Sequence, residues 1–156
     1  MRLFRLCLGI VVIRMPRSYS EMRSFKTFNE RFEYLMLHGQ VAHSMFGGSR
    51  YLNQMFYTSD VWKRFRQEVI LRDSCGGDYP LDLGVVDHPI FGQVIIHHIV
   101  PITKEDILER NSLILDLDNV VCCSLDTHNA IHYGDLSYLD ITDYTERTYG
   151  DTVLWR

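Results

Sequence analysis

The chain has 156 residues, 46% of them hydrophobic and 23% charged, the make-up of one soluble globular domain of ordinary size. This excludes a mainly disordered chain, a coiled coil and a collagen-like repeat, and 4 Pro with 10 Gly leave no room for low complexity. The net charge of −4 argues on its face against nucleic acid, but it averages two unlike halves: residues 1–66 carry 11 Lys/Arg against 4 Asp/Glu, and residues 67–156 carry 5 against 16. The basic half can face a polyanion while the acidic half keeps the chain soluble.

Residues 3–13, LFRLCLGIVVI, are a short apolar run with arginines at 2, 5, 14 and 17. They look like a signal peptide, but Arg5 interrupts the run and no small-residue cleavage site follows. The run is also too short to span a bilayer as a helix. With Met15 as a second possible start, residues 1–17 read as an upstream or unstructured extension and 18–156 as a single domain. Residues 27–37, TFNERFEYLML, predict a helix with a Thr27–Glu30 capping box and Phe28, Phe32 and Leu35 on one face. Residues 38–57, with Gly39, Gly47, Gly48 and several aromatics, read as a loop packed on the core. A helix is expected from 60 to 73, capped by Ser59, with Trp62, Phe65 and Val69 buried and Ile70 beside them. Its cations Lys63, Arg64, Arg66 and Arg72 are a solvated face on spacing alone, and phosphate contacts if a site that handles phosphate lies nearby. Arg72 suits a structural pair with Asp73 equally well.

Residues 75–90 are turn-rich. Val94–Ile96 is a short β-type run ended by Pro101, and Thr103 opens a helical turn, TKEDILER. Residues 119–123, NVVCC, are a second apolar run, after which Ser124 or Asp126 can cap a helix that ends near Gly134. The order is strand, connection, strand, helix, an α+β arrangement. Cys7, Cys75, Cys122 and Cys123 contain no C-x-x-C pair, so they read as reduced thiols of an intracellular, cytoplasmic protein and not as a zinc ribbon.

Four of the seven histidines form two pairs. His128 and His132 are spaced i, i+4, so a helix carries both on one face, where they can be two ligands of one metal or a satisfied pair. His97 and His98 end the first apolar strand. Asn119 opens the second, nine residues before His128. His43 and His88 have no motif around them, and Asn129, between the helix histidines, points about 100° away from His128 and reads as a local hydrogen-bonder.

Together, His97-His98, Asn119 and His128-x3-His132 resemble the HNH endonuclease family with its ββα-metal fold. The spacing, with Asp116-Leu117-Asp118-Asn119 between the pairs, is closest to the colicin-type branch. The runs YLNQMFYTSDVWKRFRQEVILRD, DLGV, IIHHIVPIT, THNAIHYGD and ERTYGDTVLWR look like HNH proteins of phages and prophages of Gram-positive bacteria over roughly residues 18–156. The resemblance implies a ββα-metal unit at about 91–134, embedded in N-terminal helices. It also implies one divalent ion (Mg²⁺, Mn²⁺, Ni²⁺ or Zn²⁺) held by His97, His128 and His132. His98 would be the general base, Asn119 would hold the loop that bears it, and Lys63, Arg64 and Arg66 would bind DNA through backbone phosphates. Phage terminase or portal proteins are possible partners; a membrane is not expected. Many HNH proteins carry a zinc ribbon, and here Ser124 and Thr127 stand where its second cysteine pair would be. The expectation is a fold held by hydrophobic packing alone. The alternative function is a non-catalytic, metal-stabilised nucleic-acid-binding protein or a packaging accessory.

Overall fold

A computed structural model describes residues 17–37, 50–84, 86 and 88–139. The expectations for residues 1–16, the glycine-rich stretch 38–49 with His43, and the closing segment ERTYGDTVLWR lie outside the described residues. The described chain is α+β: six α-helices around one two-stranded antiparallel sheet.

Local chemistry sets most helix ends. Helix α1 (Tyr19–Ser24) is capped by Ser18, which accepts from the Glu21 N–H; its six residues are too few to show a sequence period. Helix α2 (Phe28–Leu35) starts at the Thr27–Glu30 capping box and stops two residues short of the expected end, where Met36 leaves helical geometry. Phe32 and Leu35 are buried, and Phe28 is half-buried.

Helix α3 (Arg50–Thr58) corrects the loop expected through residue 57. The breaking glycines end at Gly48, and Leu52, Met55 and Phe56 then fall at i, i+3, i+4, which gives an apolar helical stripe. Ser59 turns extended and caps α4 (Asp60–Asp73) by accepting from the Trp62 N–H. Trp62, Phe65 and Val69 are buried on α4, as the spacing implies.

Strand β1 (Ile95–His98) pairs with β2 (Val120–Cys123), placing Ile95 opposite Cys123, His97 opposite Val121 and His98 opposite Val120. The first strand therefore begins after Val94 and takes in both histidines. Between the strands, α5 (Lys104–Glu109) starts at a Thr103–Asp106 capping box. Helix α6 (Leu125–Tyr133) follows β2, capped by Ser124 and ended by the left-handed Gly134.

Side chains alternate across a sheet, and this decides the layout. Val121 and Cys123 enter a core with Met22, Phe32, Leu35, Ala130 and Ile131, contributed by α1, α2 and α6. Val120 and Cys122 enter a second core with Trp62, Phe65 and Val69 of α4. The neighbours His97 and His98 consequently serve opposite faces of the sheet.

Packing does not hold the fold alone, which corrects the sequence expectation. Asp73, fully buried, accepts from the Tyr19 hydroxyl (2.8 Å), Arg72 Nε (2.8 Å) and the Cys122 backbone N–H (2.8 Å). Arg72 also donates to the Val120 carbonyl (2.8 Å), and its guanidinium lies 3.4 Å from the Tyr19 ring centroid. The structural role read for Arg72 is the observed one. Gly84 (φ +64°) lies against this cluster, and a Cβ there would sit 2.9 Å from Asp73 Oδ1, so the close approach needs glycine.

Candidate metal centre

The i, i+4 spacing on α6 stacks His128 and His132 one turn apart, with ring centroids 4.3 Å apart. The sheet presents His97 to the same face, its ring 5.6 Å from His128 and 5.2 Å from His132. One nitrogen from each ring lies within 4.8 Å of the other two, and the group can hold a metal ion. The chemistry of the donors fits one. His97 Nε2 and His128 Nδ1 are buried and have no hydrogen-bond partner, and buried polar atoms left unpaired are costly. A cation would satisfy both.

The rings are in the protonation state a metal requires. Burial first, then the neighbouring His128, His132 and His98, hold His97 well below the ordinary imidazole range. His128 is lowered to about 4, by burial and then by His132, and burial lowers His132 as well. All three are neutral at pH 7, with lone pairs available.

These shifts carry a stability consequence. Unfolded imidazoles titrate near 6.5, above the folded values, so between the two the unfolded chain binds more protons. Stability of the metal-free protein should be full above about pH 6.5 and should fall as pH drops toward 4. Urea titrations of metal-free protein across this window are expected to give steadily lower midpoints on acidification. A flat profile would mean the rings are solvated.

Asp82, which sequence reasoning missed, anchors the start of α6. Its carboxylate accepts from the Ser124 N–H (3.1 Å), Ser124 Oγ (2.9 Å) and Thr127 Oγ1 (2.6 Å). The two residues that stand where the family resemblance would put cysteines thus bind a carboxylate instead. Burial raises the Asp82 pKa, and these hydrogen bonds oppose the rise.

His98 stands on the other face of β1, 7% exposed. Its ring stacks on Trp62 with centroids 5.7 Å apart and planes 24° apart. Its Nε2 lies 3.1 Å from the Ile114 carbonyl. A carbonyl can only accept, so Nε2 carries the proton and the neutral ring keeps Nδ1 as an acceptor. Burial lowers the His98 pKa, and the Ile114 contact partly restores it.

Asn119 holds this region in place. Its Oδ1 accepts from the Val100 N–H (2.8 Å), and its Nδ2 donates to the carbonyls of Leu113 (3.0 Å) and Val100 (3.3 Å). It ties the turn after β1 to the segment whose next carbonyl, that of Ile114, fixes His98.

Comparison with protein-family models, with curated proteins and with solved structures found no match.

A cavity of about 70 Å³ opens onto His97, His98, His128 and His132, with Tyr57 and four apolar residues on its walls. None of Lys63, Arg64 or Arg66 lines it. Lys63 pairs with Asp60 (3.0 Å) on the open surface, Arg64 Nε donates to the Asp60 carbonyl (3.3 Å), and Arg66 donates to the Val94 carbonyl (3.0 Å). Asn129 and His88 also lie off the cavity walls. Cys75, Cys122 and Cys123 are free thiols, and burial pushes those of Cys122 and Cys123 upward, away from thiolate. No helix among the described residues is long and apolar enough to cross a membrane.

Proposed function

We propose that the chain is a metal-dependent HNH-type endonuclease, of phage or prophage kind, that hydrolyses DNA phosphodiesters. Strands β1 and β2 with helix α6 would be its ββα-metal unit. One observation carries this reading: three neutral imidazoles converge, two of them with orphaned nitrogens, and a fourth with a fixed tautomer lines the same cavity. A purely structural metal site has no use for the fourth.

Phosphodiester hydrolysis needs on the order of 20 kcal/mol removed from its barrier. A divalent ion bound by His97, His128 and His132 would supply charge stabilisation at the phosphate and the departing 3′ oxygen. His98 Nδ1 takes a proton from the attacking water as the oxygen–phosphorus bond forms and the bond to the 3′ oxygen breaks. Trp62 and the Ile114 carbonyl hold the ring so that Nδ1 is the free nitrogen. Asn119 acts through the backbone around His98 as a positioning residue. Three nitrogen donors favour zinc or nickel by affinity, with magnesium the poorest match. Lys63 and Arg64, on the exposed side of α4, would meet backbone phosphates with salt-dependent, sequence-independent affinity. Arg66 contributes less, because it is held by Val94.

The burial of His97 and His98 favours a second reading, a closed metal site in a nucleic-acid-binding protein. Plasmid cleavage separates the two. With Mg²⁺, Mn²⁺, Ni²⁺ and Zn²⁺ in turn, supercoiled plasmid is expected to be nicked or linearised with at least one ion and left intact with a chelator. Metal binding with no cutting under any ion would leave the second reading standing.

A further inference from the structure

The histidine cavity has one polar wall that is not a histidine. Tyr57, near the C-terminal end of α3, lines it beside His97, His98, His128 and His132. The remaining walls, Leu37, Ile96, Pro101 and Ile102, offer no side-chain donor.

The Tyr57 ring is fixed in place. It meets Trp62 edge-on at 4.9 Å and Phe56 at 5.1 Å. Trp62 in turn stacks on His98, so one aromatic assembly sets both the phenol and the base. The Tyr57 hydroxyl makes no hydrogen bond among the described residues, and the side chain remains 37% exposed. A phenol is protonated at neutral pH, and burial moves the Tyr57 pKa further upward.

A phosphodiester entering this cavity brings one negative charge shared over two non-bridging oxygens. Three of the imidazoles present lone pairs to a cation, and Nδ1 of His98 is an acceptor. Among the non-histidine side chains of the cavity wall, the Tyr57 hydroxyl is the one donor.

We propose that the Tyr57 hydroxyl donates a hydrogen bond to a non-bridging oxygen of the scissile phosphodiester, which makes it a catalytic residue. The inference rests on the nuclease reading above. It names a group that the sequence alone placed in a loop.

Tyr57→Phe keeps the ring contacts and removes only the hydroxyl. In the 156-residue chain, loaded with whichever ion supports plasmid cleavage, single-turnover cutting of a fluorescent DNA duplex is expected to fall about 10–100-fold, the worth of one hydrogen bond to a charged group. Metal affinity by calorimetry should stay within about twofold and the melting temperature should barely move, because no candidate ligand atom or packing contact is lost. A second arm avoids turnover: metal-loaded His98→Ala and His98→Ala/Tyr57→Phe are compared for duplex binding by anisotropy. Weaker binding by the double variant supports a contact made already in the ground state. Equal binding with slowed cutting supports one made mainly in the transition state. Equal cutting by Tyr57→Phe and the parent overturns the proposal, as does a loss of cutting that tracks a loss of metal affinity. If the parent itself cuts under no ion, the nuclease reading falls and takes this proposal with it.

Discussion

Under the proposed nuclease function, replacing His98 by alanine is expected to slow DNA cleavage by about 10²–10⁴-fold, the usual range for a lost general base, with metal affinity unchanged. The separation follows from strand geometry. His97 and His98 are adjacent in β1 and serve opposite faces, so the variant leaves the group formed by His97, His128 and His132 untouched. The substitution also strips the Ile114 carbonyl of its partner and Trp62 of its stacked ring. A stability loss of about 1–3 kcal/mol accompanies an orphaned buried group. His98→Gln is the companion variant: its amide can still donate toward Ile114, but it has no basic nitrogen. Both variants should lose cleavage to a similar degree while glutamine keeps more stability. Single-turnover rates beside calorimetric metal titrations make the comparison. Parental rates in either variant would remove His98 from the chemistry.

The features legible in the sequence are those made by neighbours along the chain. Thr27 with Glu30, Thr103 with Asp106, Ser59, Ser124 and Gly134 set helix ends through bonds spanning three or four residues, and such chemistry is visible in a short window. The His128/His132 pair is legible for the same reason, since one helical turn brings the rings together. The groups that lock the site behave differently. Asp82 reaches Ser124 and Thr127 across more than 40 residues, and Asp73 reaches Tyr19 and Cys122 across about 50 in each direction. No local period encodes such a pairing; it exists only once the sheet and helices have docked. Helix α3 escaped because its stripe begins directly after a glycine-rich stretch. With it went Tyr57, whose place beside the histidines depends on α3 folding against Trp62.

Asp73 is where that long-range chemistry should cost most. Replacing it by alanine is expected to destabilise the protein by about 3–5 kcal/mol, the range for breaking a buried ion pair by removing one partner. The carboxylate is fully buried, and its loss strands three donors together: the Tyr19 hydroxyl, the Arg72 guanidinium and the Cys122 amide. Arg72 keeps its bonds to the Leu117 and Val120 carbonyls but sits largely buried without a counter-charge. Asp73→Asn should cost less, since its remaining carbonyl oxygen can still accept from Cys122, although it cannot neutralise Arg72. Urea unfolding, followed by tryptophan fluorescence, gives the ordering directly. The damage should also be asymmetric. The hydrogen-bond partners of Asp73 lie on α1, α4 and β2, and none of them is one of the three candidate metal ligands. Cooled until both variants are folded, they should still bind metal like the parent while the Trp62–His98 stack loosens and, under the proposed function, cleavage declines. A loss below about 1 kcal/mol would place the Arg72–Asp73 pair with weak surface ion pairs, and α4 would then be held to the sheet by Trp62, Phe65 and Val69 alone.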